Sequence, residues 1–265
     1  MRIIYLLFTA ILISVTILWM GKYNLLRRRT AAFCTVLCLT AAGSLLVFSV
    51  LPSGNFFGRT ITSSHTQTKV IALTFDDGPY PPYTEDILIT LEKENVHATF
   101  FIVGENARRH PQLVSKISSS GHELGLHADK HVDFLKLDST ELRNNISVGK
   151  KTLEELSGKK IILARTPHGF KDWLVQRTLK EAELIPVNWS VSPRDWTLPG
   201  SDVITEKVCR NAFPGAIVLL HDGDSPKNTG DRSQTVAAVP SIIKKLKAEG
   251  YRFVTVSELL AMENI

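Results

Sequence analysis

Two long apolar stretches open the chain, and short apolar runs alternating with amphipathic ones fill the rest. Residues 3–20 and 31–51 carry no charge. Each is about long enough to cross a bilayer, which takes roughly 20 residues. Residues 52–69 are polar and rich in Ser and Thr, the composition of a linker. From residue 70 the pattern predicts strands at 70–75, 98–103, 123–127, 161–164, 184–189, 216–221 and 252–256. Helical patterns lie between them at 84–94, 111–119, 139–157, 172–182, 202–211 and 236–249. Strand–helix alternation of this kind predicts an α/β fold with a mostly parallel sheet. About seven strands fit a distorted (β/α) barrel. The expected organisation is a two-helix transmembrane hairpin over 1–51, a polar linker over 52–69 and one folded domain over 70–265.

Charge sharpens the reading of the hairpin. Residues 21–30 join the two apolar stretches and carry Lys22, Arg27, Arg28 and Arg29. Short basic loops stay on the cytoplasmic side, which puts the amino terminus and everything after Leu51 outside. A long signal peptide is the rival, but Ser49-Val50-Leu51-Pro52 is a poor cleavage site. A lipoprotein signal is disfavoured because Phe33 and Leu37, not small residues, precede Cys34 and Cys38. Either rival still exports the domain.

The net charge of +5 comes from residues 1–51, which hold five basic residues and no acid. The balance after them gives no argument for nucleic-acid binding. Three cysteines in no ligand pattern exclude a disulfide framework in the domain and read as packing residues.

The candidate chemistry sits where apolar runs end. The first strand closes on Asp76-Asp77-Gly78-Pro79. Adjacent carboxylates repel, and a cation or a division of labour removes the conflict. The third strand runs into His127-Ala128-Asp129-Lys130-His131. Two imidazoles four apart share one side of a helical turn. Asp plus two His is a three-ligand set that leaves a metal position open, the mark of a catalytic site. Arg165 and His168 follow the fourth strand, Asp195 and Trp196 come after the fifth, and His221 and Asp222 close the sixth. In α/β barrels the loops after the strands open onto one face, so these pieces converge. Singly, each has a bland reading: a turn at Asp76–Gly78, solvated histidines, a capping His221, a core Trp189 or Trp196. His122 reads as structural, His65, His97 and His110 as surface residues, and Asp224 and Asp231 as parts of a solvated loop.

The motifs resemble those of the polysaccharide deacetylases with the NodB homology domain, carbohydrate esterase family 4. The resemblance spans roughly residues 69–260. It rests on Thr74-Phe75-Asp76-Asp77-Gly78, on His127 to His131, on Arg165-Thr166-Pro167-His168-Gly169, on Asp195-Trp196 and on Leu219-Leu220-His221, with Ala98-Thr99-Phe100-Phe101 and Gly121-His122-Glu123 between them. It implies that Asp77, His127 and His131 hold a divalent metal, zinc first with cobalt and nickel open. Asp76 would be the general base, oriented by Arg165. His221 would be the general acid, tuned by Asp195. Trp196 and Leu219 would line the pocket for the acetyl methyl, and the His168 N–H would help hold the oxyanion.

Two positions depart from the family. Ala128 stands where Ser or Thr is usual, which predicts a missing support for the metal loop. His168 replaces a common aromatic and would alter the substrate groove. The implied activity is N-deacetylation of amino sugars in a cell-surface polysaccharide, peptidoglycan first and a chitin-like glycan second. The implied location is the cell membrane, with the domain outside. The alternatives are an O-acetyl carbohydrate esterase and a non-catalytic glycan-binding protein on the same scaffold.

Overall fold

The computed structural model describes residues 2–224 and 230–262. Seven parallel strands form one curled sheet: β1 (Val70–Asp76), β2 (Thr99–Val103), β3 (Glu123–Ala128), β4 (Leu163–Ala164), β5 (Ile185–Pro186), β6 (Ala216–His221) and β7 (Arg252–Phe253). Their order is β5-β4-β3-β2-β1-β6, and β7 pairs with the start of β1 beyond the reach of β2. All seven residues of β1 are buried, as a strand covered on both faces requires. The predicted strand at 184–189 pairs with β4 only over Ile185–Pro186. The chain then crosses to β6 through a bridge between Val191 and Val218, which draws the two ends of the curl together. This is the expected distorted barrel, with β5 shortened because its chain serves two neighbours.

Helices pack around the sheet: α3 (Tyr83–Lys93), α4 (Gly104–Arg109), α5 (Pro111–Ser119), α6 (Ser139–Ser157), α7 (Trp173–Glu181), α8 (Ser201–Arg210), α9 (Ser233–Ala248) and α10 (Val256–Ala261). Asp138 and Thr255 start α6 and α10 with reciprocal capping boxes. The Thr255 cap turns the end of the predicted 252–256 strand into a helix start. The core is aliphatic and aromatic, from Ile71, Leu73 and Phe75 on β1 through Phe100 and Ile102 on β2 to Ile242 and Leu246 on α9.

Ahead of the domain stand α1 (Ile3–Lys22) and α2 (Arg28–Val50), packed on each other. Small residues make the close approach: a Cβ on Gly21 would sit 2.8 Å from that of Ala31. Large apolar side chains elsewhere on both helices, such as Phe8, Leu12, Phe33 and Leu37, are exposed. Both helices are long and apolar enough to cross a membrane. Residues 52–69, expected as a polar linker, lie along the domain. Ile61 bridges Val187, Ser63 bridges Ala216, and Phe57, Thr60 and Ser64 are buried.

Candidate active site

The carboxyl end of β1 delivers both acids. Asp76 is the last residue of the strand, opposite His221 on β6. Asp77 leaves it at φ 76°, in the left-handed region that strains a non-glycine residue. Two glycines permit the turn. A Cβ on Gly78 would meet Asp222 Oδ2 at 2.2 Å, and one on Gly223 would meet the Asp77 carbonyl oxygen at 2.4 Å. Asn106, buried on α4, donates to the same carbonyl at 2.7 Å.

Asp77 Oδ1 lies 3.2 Å from His127 Nε2 and 3.3 Å from His131 Nε2. Nevertheless it is buried without a hydrogen bond, so the close atoms converge without donor geometry. Ligand atoms ~2.1 Å from one tetrahedral ion stand roughly 3.4 Å apart, close to this spacing. His127 Nδ1 is 2.8 Å from the Arg165 carbonyl oxygen. A carbonyl only accepts, so Nδ1 carries the proton and Nε2 presents a lone pair. The donor set therefore fits a divalent cation. Among the described residues, Asp77, His127 and His131 form such a group, with ligand atoms within 4.8 Å of one another. Burial alone would raise Asp77. The contact with and charge of His127, then the charges of His221 and His131, hold it well below the usual carboxylate range.

Asp76 is held by Arg165, whose Nη1 donates at 2.7 Å to Asp76 Oδ1 and at 2.7 Å to Thr74 Oγ1. Its Nη2 donates to the Asn188 carbonyl at 2.9 Å and its Nε to that of Val187 at 3.2 Å. The guanidinium lies 4.1 Å from the centroid of the Phe101 ring. Burial lowers its pKa, opposed by the charge of Asp76 and the bond to it. An unpaired buried guanidinium would be costly, and here four of its five N–H donors are engaged.

His221 and Asp195 form the second ion pair. Asp195 Oδ1 is 2.9 Å from His221 Nδ1, while Oδ2 accepts the His221 backbone N–H and the Thr235 hydroxyl, each at 2.8 Å. Burial alone would depress His221. The charge and hydrogen bond of Asp195, then the charges of Asp77 and Asp76, push it up to about 9. The Trp196 ring meets the imidazole edge-on at 5.2 Å.

One cleft of about 1010 Å³ is lined by Asp76, Asp77, His127, His131 and His221. His168, Trp196 and Leu219 line it too, so the structure brings these sequence candidates together. Arg165 and Asp195 are the buried supports behind them. His168 stands at φ 61° with its ring edge-on to that of His131 at 5.3 Å. His122 is structural as expected: it is buried, Nδ1 accepts the Ala98 N–H at 3.3 Å, and burial, then His97, lower it to about 4. Asp224 and Asp231 depart from a free loop. The first pairs with Arg232 at 3.2 Å, and the second accepts from the Ser233 N–H at 2.8 Å. The middle of that loop, 225–229, lies outside the described residues.

The sequence reading missed several supporting groups. Asn145 on α6 accepts the Asp129 N–H at 2.8 Å and donates to the Lys130 carbonyl at 3.1 Å. It pins the loop between the two histidines, which Ala128 cannot do. Thr235 orients Asp195. Asp222, placed by the sequence at the end of the sixth strand, is buried beneath Gly78, takes the Thr84 hydroxyl at 2.6 Å, a partner the sequence did not show, and is raised to about 7 by burial. The clue to Asn145 was its polarity within an amphipathic helix; Thr235 carried none.

Comparison with known proteins agrees with the motifs. The family described as polysaccharide deacetylase matches residues 63–187. A peptidoglycan-N-acetylglucosamine deacetylase of Bacillus cereus is 46% identical over 194 residues, covering 72% of this chain and 88% of that protein. A chitooligosaccharide deacetylase of Sinorhizobium fredii is 36% identical over 73% of this chain and 93% of its own length. The crystal structure of a peptidoglycan N-acetylglucosamine deacetylase superposes with a TM-score of 0.72 at 34% identity, covering 76% of this chain and 92% of that one. A pseudoenzyme of the same carbohydrate esterase family from Bacillus anthracis superposes at 0.69 with 29% identity, over 76% of this chain and 68% of its own. The chain belongs to the polysaccharide deacetylase family, a family of hydrolases. The family match begins after the hairpin.

Proposed function

We propose that the protein is a membrane-anchored, zinc-dependent N-deacetylase acting outside the cell on amino sugars of a surface glycan, peptidoglycan first. The support from relatives is the peptidoglycan and chitooligosaccharide deacetylases it resembles. The observation that carries the reading is the pairing of a held carboxylate, Asp76 on Arg165, with a protonated imidazole, His221 on Asp195, in one cleft with the three metal donors. A non-catalytic reading on this scaffold has to explain why every one of these groups is retained.

Asp77, His127 and His131 hold the ion. When bound, a divalent cation supplies Lewis acidity that polarises the acetamide carbonyl and acidifies water. Cobalt or nickel would satisfy the same ligands. Asp76 takes the proton of the attacking water, and Arg165 keeps the carboxylate aimed. A fixed N–H at His168 would stabilise charge growing on the carbonyl oxygen, typically worth ~3 kcal/mol. His221 Nδ1 is committed to Asp195, so Nε2 is the atom left to protonate the departing amine. Trp196 and Leu219 enclose the acetyl methyl. We assign the anchor to 1–51 and the deacetylase domain to 70–265, with 52–69 joining them.

The test is turnover by Asp76→Asn with its metal content measured in parallel. The expected result is full metal and a rate down ~10²–10⁴-fold, the range for loss of a general base. Near-normal turnover with metal bound would sink the assignment. Release of acetate without a new free amine would point to O-acetyl esters instead.

A further inference from the structure

The hairpin does not hang from the domain on a slack tether; it is bolted to the rim of the cleft. Arg2 donates to the Asp172 carboxylate at 3.3 and 3.4 Å and to the carbonyls of Phe134 and Leu137. At the other end of the hairpin, Ser49 Oγ donates to the Lys171 carbonyl at 2.6 Å, and the Lys171 N–H returns a bond to Ser49 at 3.0 Å. Lys171 Nζ reaches the carbonyls of Leu51 and Pro52 at 2.7 and 3.1 Å, and Asn188 donates to Pro52 at 3.0 Å. Residues 52–69, which would have supplied slack, are bridged to β-sheet neighbours.

This fixes the height of the cleft. A 20-residue α1 spans ~30 Å, the thickness of the hydrocarbon layer, so Ile3 and Val50 mark its outer edge. The headgroup layer beyond is roughly 5–8 Å deep. Pro52 stands two residues past Val50, about 7 Å at full extension. Val50 and Pro52 themselves line the cleft that contains Asp76 and His127. An aromatic cluster sits at the same level: Phe48 stacks on Phe56 at 5.1 Å, and Trp173 meets Phe56 at 5.7 Å and Phe57 at 4.7 Å. Aromatic rings concentrate at such interfaces. The rim also carries Trp196 and Leu198, each 43% exposed, beside the exposed Arg194. Apolar and cationic groups together suit a molecule with a lipid end and a polar head.

Resting on the deacetylase reading above, we propose that the substrate is an N-acetylated amino sugar still attached to a membrane lipid, deacetylated at the level of the lipid headgroups. A glycan freed from lipid reaches this cleft only by entering the headgroup layer.

The experiment uses the full-length zinc-loaded protein in vesicles of phosphatidylethanolamine and phosphatidylglycerol. Acetate release is compared for diacetylchitobiose carried on a polyprenyl diphosphate in the same bilayer and for free diacetylchitobiose. Because any anchored enzyme profits from surface enrichment, the comparison is repeated with an undocked variant. That variant carries Arg2→Ala, Ser49→Ala and Lys171→Ala, which remove the side-chain contacts at both ends of the hairpin, and a twelve-residue Gly/Ser insertion between Ser53 and Gly54 that supplies slack. The expected result is a lipid-linked to free rate ratio at least tenfold higher for the native protein than for the variant, with rates on free glycan within twofold. Equal ratios overturn the proposal. Inactivity of the native protein on both glycans overturns the deacetylase reading instead. A second measurement does not depend on the variant folding. A fluorophore on Thr197→Cys in a background lacking Cys34, Cys38 and Cys209 should lose more than half its emission to headgroup-labelled quencher lipids, and no quenching overturns the proposal.

Discussion

In the proposed mechanism, His221 is the residue on which the acid half of the chemistry turns. Its pKa near 9 means that it is protonated through neutral pH and loses its proton as pH rises through 9. A divalent cation on Asp77 would cancel that residue's share of the rise, so the metal-loaded protein should show an alkaline limb between the ordinary histidine value and about 9. Asp195→Asn removes the charge that raises it, so the limb should move down toward the ordinary histidine value, with a rate loss of ~10²-fold or more. A pH–rate profile checks both, and an unmoved limb would refute the pairing. The sign for stability follows. A folded pKa above the unfolded 6.5 gives stability that is complete below 6.5 and lost as pH rises through 9. The full effect is about 3 kcal/mol, and Asp195→Asn should flatten that loss in a melting series. Arg165 makes the complementary case. Arg165→Gln leaves Asp76 buried without its partner and should destabilise the fold by about 3 kcal/mol or more in a denaturant titration.

At the scale of elements, the metal loop is held from α6. Asn145 supplies both bonds that an Ala at position 128 cannot. Asn145→Ala should weaken zinc binding ~10- to 100-fold while leaving turnover at saturating zinc close to native, read by competition with a chelating dye. Strand ends were legible in the sequence because an apolar run that stops on Asp76, His127, Arg165 or His221 marks a buried strand meeting its polar task. What the sequence hid were partners joined only by the fold. Thr235 lies 40 residues from Asp195, and Thr84 lies 138 from Asp222. A local pattern has no register in which to place such pairs. The stretch 52–69 misled for a related reason. Its Ser and Thr residues suit a solvated linker, but they serve equally well in a strap whose backbone pairs with strands it cannot be seen to touch.

At the scale of the molecule, the hairpin and the domain form one object. Arg2 and Ser49 bring the start of α1 and the end of α2 to the domain, so Lys22 and Arg27 to Arg29 lie at the far end. On the proposed topology, the basic loop would lie inside and the domain outside. In cells, in a background lacking Cys34, Cys38 and Cys209, Lys151→Cys should react with an impermeant maleimide, and Asn24→Cys should react only after permeabilisation. The reverse pattern would turn the topology over. A pseudoenzyme superposes on this fold, so the architecture by itself does not establish activity.

The most direct measurement follows acetate and free amine together while zinc is returned to the chelated, full-length protein supplied with an N-acetylated glycan. Both products should be absent without metal, should rise in equal amounts, and should plateau at one zinc per chain. Undiminished release after the ion has been stripped, or a plateau reached with Asp77, His127 and His131 all replaced by alanine, would contradict the account.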